Sequence, residues 1–387
     1  MAELCSQAER RARFVGYKVF SRFQGKKSMF KTIVLFAACL LMGACSSIPS
    51  VQKGQSLSEY LDSVNFSGSI LVSQNSEIIH SAGYGFANNE LKVANTPDTQ
   101  FYIASLTKQF TSLAVIQLQE RGILHINDSI DKFFPGFPNG SKITIRQLLT
   151  HASGLHDFTD DWDEIKQLNL STQDIVDRVK DMKLDFEPGS KVSYSSSGYI
   201  LAGQIIEKVS GMAYADYLES EIFKPLNMSH SSYGYFKGNS LNKAIGYKNN
   251  ISQKSVNVPL TYAAGALASS VTDFYLWNQS FYSSSLVNES SQREIYPEDR
   301  SAPGLGFGTG KFKVVMGLGW GVYETDLGPE YSHTGNIDGF STVISRYPSQ
   351  KAMIVILSNQ DRFDVFTLKN KIAKLVLANE KHNKKAA

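Results

Sequence analysis

Cysteine is nearly absent from this 387-residue chain, and the few copies are confined to its start. The three cysteines are Cys5, Cys39 and Cys45. No disulfide can therefore form within the residues that follow position 45. That part of the chain has to fold on a hydrophobic core alone, and it is long enough to bury one.

Basic charge is also scarce once the N-terminal region is set aside. The chain carries a formal net charge of +3, but residues 1–44 account for +6, which leaves −3 for the remainder. A slightly acidic body offers no basic surface for a phosphate backbone. The charge distribution therefore argues against nucleic acid as a partner.

Long apolar runs are missing as well, since the one pronounced run, residues 32–42, has eleven residues. Eleven residues are too few to span a bilayer but match the core of a signal peptide, and a basic region ending at Lys31 precedes them. We therefore predict that residues 1–44 are a signal peptide. Met29, just before the run, is an alternative to Met1 as the start of translation.

The small residues directly before Cys45 resemble the cleavage site of bacterial lipoproteins, although Met42 stands where leucine is usual. The resemblance implies that Cys45 is lipidated and becomes the mature N-terminus. Residues 45–55 would then tether the protein to a membrane of the bacterial cell envelope, facing the periplasm. An ordinary cleaved signal peptide with an incidental cysteine is the alternative.

Strand-like segments occur near both ends of the remaining chain, with helical periodicity between them. This order predicts an α+β fold, in which an antiparallel sheet built from both chain ends is flanked by helices and interrupted by a mainly helical insert. The folded domain is expected at 56–378, with sheet parts at 56–120 and 305–378, the insert at 121–304 and a basic tail at 379–387. A cleft is expected where the sheet edge meets the insert.

The same patterns predict the individual elements. Strands are expected at 68–73, 78–85, 318–323, 331–335, 340–347 and 352–358. Helices are expected at 56–64, 101–120, 145–150, 172–182, 199–209, 213–223, 271–281 and 366–378.

The predicted helix 101–120 begins with a serine and a lysine one turn apart. Ser105 and Lys108 share a helix face, so the hydroxyl and the amine point into the same space. A serine becomes a nucleophile when a neighbouring base takes its proton, and a buried lysine can do this because burial disfavours its charged form. The spacing alone also fits an N-cap serine with a surface lysine, since it recurs at Ser28, Ser50, Ser129 and Ser240.

Two later clusters supply the other groups that an activated serine needs. Tyr194, between a Pro-Gly turn and an apolar helix, can hydrogen-bond Ser105 and pass protons. His333 lies on a predicted strand whose edge presents backbone N–H groups, and Gly335 lets a substrate approach that backbone closely. One strand N–H and the N–H of Ser105 would form an oxyanion hole. Taken singly, Tyr194 also fits a core residue and His333 a structural histidine.

The three motifs and their flanks resemble the serine β-lactamase and penicillin-binding superfamily, especially the branch of class C β-lactamases, esterases and DD-carboxypeptidases. Ser105-x-x-Lys108, Tyr194-x-Ser196 and His333-Thr334-Gly335 follow in the family's order. The resemblance covers roughly residues 55–375, nearly all of the chain after the leader. Further stretches that look like the family are 148–155, 186–189, 223–228 and 263–265.

The resemblance implies a role for each matching residue. Ser105 matches the acylated nucleophile, Lys108 the base or proton relay beside it, and Tyr194 the catalytic tyrosine. The backbone N–H groups of Ser105 and Asn336 match the oxyanion hole. Thr334 matches the second position of the Lys-Thr-Gly motif and is expected among the substrate-binding residues.

Two departures from the family pattern bear on the substrate. Ser196 stands where the family has asparagine, and a serine side chain is too short to serve both the substrate and the lysine. His333 stands where the family has lysine, and a histidine is only partly charged at neutral pH. Recognition of a free substrate carboxylate is therefore expected to be weaker than in family members with lysine. Both departures also make the prediction of efficient penicillin hydrolysis less certain.

Competing chemistries lack their motifs. The chain has no Gly-x-Ser-x-Gly elbow, no His-x-His pair and no phosphate-binding glycine loop. His151 and His156 alone do not make a zinc site, and Glu164 does not match the deacylation glutamate of class A β-lactamases. We expect no metal and no cofactor.

The sequence therefore predicts a β-lactamase-related serine hydrolase that acts through an acyl-enzyme on an amide or ester. A DD-carboxypeptidase or penicillin-binding peptidase acting on cell-wall peptides is the next interpretation, then an esterase, and a true β-lactamase last. A non-catalytic sensor that binds lactams or peptidoglycan peptides is the alternative from another class. The expected partners are a small-molecule or peptide substrate and, through the lipid anchor, a membrane.

Overall fold

A computed structural model describes residues 48–52, 54–236, 242–254, 257–296, 306–307 and 314–377. The strands are β1 Gly68–Gln74, β2 Glu77–Tyr84, β3 Phe86–Asn88, β4 Val93–Ala94, β5 Phe101–Tyr102, β6 Ser232–Tyr233, β7 Tyr247–Lys248, β8 Ile251–Ser252, β9 Leu267–Ser269, β10 Gly306–Phe307, β11 Val314–Met316, β12 Gly321–Thr325, β13 Gly328–Ile337, β14 Phe340–Tyr347 and β15 Ala352–Ser358. The α-helices are α1 Leu57–Asp62, α2 Thr107–Glu120, α3 Ile145–Leu149, α4 Trp162–Ile165, α5 Thr172–Asp181, α6 Ser197–Ser210, α7 Tyr214–Leu218, α8 Val258–Gly265, α9 Val271–Ser280, α10 Glu289–Ile295 and α11 Val365–Leu377.

One antiparallel sheet joins the two ends of the domain, which confirms the predicted α+β architecture. Its eight strands lie in the order β10-β11-β12-β13-β14-β15-β1-β2. The early strand β1 pairs with the late strand β15, so that Gly68 lies opposite Ser358. The chain between β2 and β10 is mainly helical and contains α2 to α10. It includes the predicted insert at 121–304 and also α2, which precedes that insert.

Helices cover both faces of the central strands, and every residue of β1, β14 and β15 is buried. Successive side chains of a strand point to opposite faces. Ile354 and Ile356 pack in the cluster that includes α11, whereas Met353 and Val355 join the cluster formed with the insert helices. Each such side chain contributes about 1.5–3 kcal/mol through burial, so the sheet is fixed firmly between its two layers.

Helix α2 packs against helices of the insert, and twelve of its 14 residues are buried. Its Phe110 stacks on Trp277 of α9 with ring centroids 4.2 Å apart. A helix that is covered all round holds its polar residues in fixed places, because their neighbours leave no room for other rotamers. Lys108, in the first turn of α2, is one of these buried polar residues.

The prediction of one helix over 101–120 was wrong at its start. Phe101 and Tyr102 form the strand β5, which pairs with β9. Ala104 then adopts a left-handed backbone with φ of 49°, and a 3-10 turn over Ala104–Leu106 leads into α2. The apolar periodicity continues through this bend because both parts are buried, so the pattern alone does not reveal the break.

Other differences are short irregular segments. The insert contains the two- or three-residue strands β6 to β9, which are too short to leave a pattern in the sequence. The strand predicted at 318–323 begins only at Gly321, because Gly317 donates its N–H to the carbonyl of Trp320 at 2.8 Å in a tight bend. The helix predicted at 213–223 is α7 followed by a π-helical turn, Glu219–Phe223.

The predicted leader, Cys45 and the basic tail lie outside the described residues. The predicted tether is described from residue 48, and there it packs against the domain. Ile48 and Val51 contact the cluster under α11, and Tyr60 donates its hydroxyl to the carbonyl of Pro49 at 3.2 Å. Among the residues that the structure describes, no helix has the length and apolar character needed to cross a membrane.

Candidate active site

Ser105 lies in the tight turn between β5 and α2, directly after the left-handed Ala104. Lys108, one turn further on, is fully buried, and its Nζ donates hydrogen bonds to Ser105 Oγ at 3.2 Å and to the carbonyl of Ala264 at 2.9 Å. The carbonyl holds the amine in place beside the hydroxyl. The two groups therefore share one space, as their spacing predicted.

Tyr194 brings a second polar group to the same hydroxyl. Its OH donates to Ser105 Oγ at 2.8 Å, across 89 residues of sequence. Lys108 Nζ lies over the Tyr194 ring, 5.0 Å from its centroid, and over the Tyr199 ring at 5.4 Å. The amine of Lys108, the phenol of Tyr194 and the hydroxyl of Ser105 therefore form one cluster of neighbouring polar groups. Tyr194 is also 37% exposed, so a substrate in the adjoining cavity can reach it.

Strand β13 supplies the third side of the site. Its pairing with β12 stops at Ser332, so residues 333–337 continue beyond the end of β12. Thr342 of the neighbouring β14 donates to the carbonyl of Ile103 at 2.9 Å, which joins the turn to the sheet. A Cβ on Gly335 would lie 2.4 Å from the same carbonyl. Glycine is therefore needed for the strand to approach the turn.

His333 stands on this strand with its ring buried, and its Nδ1 donates to the carbonyl of Thr334 at 2.6 Å. Burial lowers the pKa of His333 to about 4, and the positive charge of Lys108 acts in the same direction. The imidazole is therefore neutral at physiological pH. Its ring centroid lies 6.1 Å from that of Tyr194.

The remaining predicted residues lie around the same cavity, whose volume is about 430 Å³. Ser196, Thr334 and Asn336 line it together with Ser105 and His333. The sequence had not singled out several other lining residues, which form an apolar wall and a charged end. These are Phe158, Trp162, Leu260, Ile337, Asp338, Asp361 and Arg362.

The charged end of the cavity has its own ion pairs. Asp338 pairs with Lys166 at 3.1 Å, and Asp361 lies 3.9 Å from Lys248. Within the described part of the chain, no three or more His, Cys, Asp or Glu residues are grouped so as to hold a metal ion. The cavity thus combines Ser105, the apolar side chains of Phe158, Trp162 and Leu260, and a charged end.

The comparisons with known proteins agree with this fold. A family model described as Beta-lactamase matches residues 57–378. The putative penicillin-binding protein PbpX of Bacillus subtilis is 30% identical over 338 residues, which cover 85% of this chain and 80% of that protein. Penicillin-binding protein 4* of the same organism is 31% identical, over 76% of this chain and 68% of its own length.

Solved structures show the same relationship. The octameric penicillin-binding protein homologue from Pyrococcus abyssi aligns with a TM-score of 0.67 and 28% identity, over 75% of this chain and 69% of that one. D-amino acid amidase from Ochrobactrum anthropi SV3, complexed with L-phenylalanine amide, aligns with a TM-score of 0.69 and 25% identity, over 82% of this chain and 95% of that one.

A mixed fold with a large antiparallel sheet, together with these relatives, defines a serine hydrolase of the β-lactamase and penicillin-binding type. The chain belongs to the Beta-lactamase family.

Burial of His333 makes the stability of the folded protein depend on pH. The histidine titrates near its usual pKa of 6.5 in the unfolded chain but at about 4 in the folded protein. Between pH 6.5 and 4 the unfolded state therefore binds more protons, and the free energy of unfolding falls as pH falls. Burial also lowers the pKa of His151, which adds in the same direction.

We expect this dependence to shrink in His333→Asn, which has no titrating ring. Urea unfolding at several pH values between 7 and 4 should show the wild type losing about 3 kcal/mol more than the variant, since 2.5 pKa units correspond to about that difference. Equal slopes in the two proteins would mean that His333 is not held neutral by the fold.

Proposed function

We propose that Ser105 is the nucleophile of an acyl-enzyme mechanism. Lys108 and Tyr194 both reach Ser105 Oγ, at 3.2 and 2.8 Å. For the attack, one group of this pair is in its deprotonated form and accepts the proton from Oγ as the hydroxyl attacks the substrate carbonyl. The pair then passes a proton to the leaving nitrogen or oxygen. Water then attacks the ester on Ser105, and a proton passes back through the same pair.

The backbone N–H groups of Ser105 and Asn336 serve as the oxyanion hole in this proposal. Ser105 follows a tight turn at the start of α2, where the N–H groups lack partners within the helix. Asn336 lies on the part of β13 that continues beyond the end of β12. This part of β13 lines the cavity. Two fixed donors of this kind stabilise the negative oxygen of the tetrahedral intermediate by several kcal/mol.

Our proposal about the substrate rests on the neutral state of His333. Both penicillins and peptides cleaved by carboxypeptidases bear a free carboxylate, which the family's Lys-Thr-Gly lysine would bind. Here that position holds a buried ring whose pKa is about 4, so it offers no positive charge at neutral pH. We therefore propose an amidase or esterase for small acyl donors without a free carboxylate, with the apolar wall at Phe158 and Trp162 receiving the acyl side chain.

A penicillin-binding peptidase is the second candidate, because another cation lines the cavity. Arg362 lies at its charged end, beside Asp361 and after β15. A guanidinium at this place can pair with a substrate carboxylate in two hydrogen bonds. The similarity to penicillin-binding protein 4* supports this candidate as well.

A panel of four substrates tests the two candidates. D-phenylalanine amide and a nitrophenyl ester lack a carboxylate, whereas a D-alanyl-D-alanine peptide and benzylpenicillin carry one. We expect kcat/KM to be highest for the first two. Preference for the peptide that is lost in Arg362→Ala would favour the peptidase. Absence of turnover with all four, together with stoichiometric penicillin binding, would favour the non-catalytic sensor.

We also propose that the protein is a lipoprotein of the cell envelope, anchored through Cys45. Ile48, which contacts the domain, is only three residues from Cys45. Three extended residues span about 10 Å, so an acylated Cys45 would hold the domain directly at the membrane surface. Fractionation of cells that express Cys45→Ser should show the protein released from the membrane. A variant that stays membrane-bound would contradict the anchor.

A further inference from the structure

His151 is a buried residue with an unfavourable backbone conformation and an unpaired ring nitrogen. Its backbone is left-handed, with φ of 59°, a region that non-glycine residues rarely adopt. The side chain is 1% exposed, and its Nε2 has no hydrogen-bond partner among the described residues. An unpaired buried polar nitrogen and a strained backbone each lower stability. Such features persist at functional sites, where the neighbouring structure enforces them.

The ring of His151 lies against Tyr194. The ring centroids are 4.3 Å apart and the planes differ by 29°, so the two rings are stacked. Tyr199 also contacts the imidazole, with a centroid distance of 5.4 Å and the planes tilted by 43°. One side of the Tyr194 ring is thus fixed by a neighbour that cannot move, because its own surroundings are fully packed.

Hydrogen bonds join the His151 loop to the Tyr194 loop. The N–H of Ser195 donates to His151 Nδ1 at 3.1 Å, and the N–H of Ser193 donates to the carbonyl of His151 at 2.9 Å. Both residues next to Tyr194 in sequence are therefore tied to this one histidine. The carbonyl of Ser195 lies 3.2 Å from the same Nδ1, so this ring nitrogen can bond the backbone of Ser195 in either neutral tautomer. Burial, with Lys108 and His333 nearby, also lowers the pKa of His151.

We propose that His151 is the positioning residue for Tyr194, holding the phenol 2.8 Å from Ser105 Oγ through the ring stack and the bond from Ser195. The proposal rests on the proposed role of Tyr194 in proton transfer. It explains why a conformation that lowers stability is present at this place: the stack and the hydrogen bond together define where the phenol lies. A displacement of about 1 Å at a proton-transfer group lowers rates by up to roughly 100-fold.

Three substitutions in the full chain separate the stack from the hydrogen bond. His151→Ala removes both. His151→Phe keeps an aromatic ring but offers no acceptor to Ser195. His151→Asn keeps an acceptor and suits left-handed backbone, but has no ring. His156→Asn is the matched control, since this half-exposed histidine of the same loop bonds Asp185 at 3.1 Å.

We expect kcat on the amide or ester substrate to fall roughly 30- to 100-fold in His151→Ala, with KM unchanged. His151→Phe and His151→Asn should each lie between this variant and the wild type, and the control should stay within about twofold. Thermal unfolding of His151→Asn should occur at or above the wild-type temperature, because asparagine suits the left-handed backbone and the unpaired buried ring nitrogen is removed.

A second measurement does not depend on turnover. The ¹³C resonance of Tyr194 Cζ, assigned by its loss in Tyr194→Phe, should shift in each His151 variant and not in the control. If the wild type cleaves no substrate, the proposed function fails, yet this resonance still decides whether His151 positions the phenol. An unshifted resonance overturns the positioning role, and so does a kcat for His151→Ala within threefold of the wild type.

Discussion

Replacing Ser105 with alanine is expected to lower kcat/KM for the best substrate by about 10⁴-fold or more, because no other group can form the acyl intermediate. The fold should be retained. The hydroxyl accepts bonds from Lys108 and Tyr194, but Lys108 keeps the carbonyl of Ala264 as a partner. The free energy of unfolding should therefore change by about 1 kcal/mol or less. Steady-state kinetics and urea unfolding measure the two effects.

The chain offers a matched control for this substitution. Ser129 and Lys132 repeat the Ser-x-x-Lys spacing, but Lys132 Nζ bonds Asp128 at 2.8 Å at the surface. Ser129→Ala should leave kcat/KM unchanged. An active Ser105→Ala protein, with turnover within tenfold of the wild type, would rule out Ser105 as the nucleophile.

Tyr194→Phe is expected to lower kcat by about 10²- to 10⁴-fold with little change in KM, because it removes one proton-transfer group and keeps the ring. The hydroxyl bonds only Ser105 Oγ among the contacts of the described chain, and the ring is partly exposed, so the stability should stay near that of the wild type. Kinetics over a pH range, with unfolding curves alongside, provide the measurement.

Tyr199→Phe is the control for the tyrosine. Tyr199 OH donates to the carbonyl of Leu149 at 2.6 Å and lies 3.2 Å from the hydroxyl of Ser112, away from Ser105. Its removal should lower stability rather than kcat, since it leaves buried polar groups unpaired. If Tyr194→Phe behaved like Tyr199→Phe, with stability lost and kcat retained, Tyr194 would be a structural residue.

Local sequence patterns were sufficient to predict the fold where both of the paired strands are long. The strands at 68–73 and 352–358 were expected in one sheet, and they pair directly. The break at Ala104 was missed because Phe101 and Tyr102 are held in a strand by β9, more than 160 residues away. A pairing of two residues leaves no periodicity, so tertiary contacts override the helical pattern there.

In the site, too, contacts between residues close in sequence were predictable, whereas contacts that depend on the tertiary fold were not predictable from spacing alone. The contact between Ser105 and Lys108 follows from their spacing on one turn. The contact with Tyr194 depends on the fold. The sequence offered Tyr194 as a possible partner of Ser105, with a core residue as the alternative, and the resemblance to a family favoured the partner. His151 had been considered only as a metal ligand, because nothing in a single sequence shows that its ring stacks on Tyr194. Phe158 begins a short 3-10 turn and Trp162 begins α4, and this stretch has no recognisable motif, so the apolar wall was not predicted.

The formation of an ester on Ser105 is the central claim, and trapping it is the most direct test. The wild type should be mixed with D-phenylalanine amide or a nitrophenyl ester, quenched in acid within milliseconds to seconds, and measured by intact-protein mass spectrometry with peptide mapping. We predict a mass increase equal to the acyl group, located on the peptide that contains Ser105 and absent from Ser105→Ala. Turnover of the substrate without any adduct, or an adduct on another residue, would contradict the mechanism.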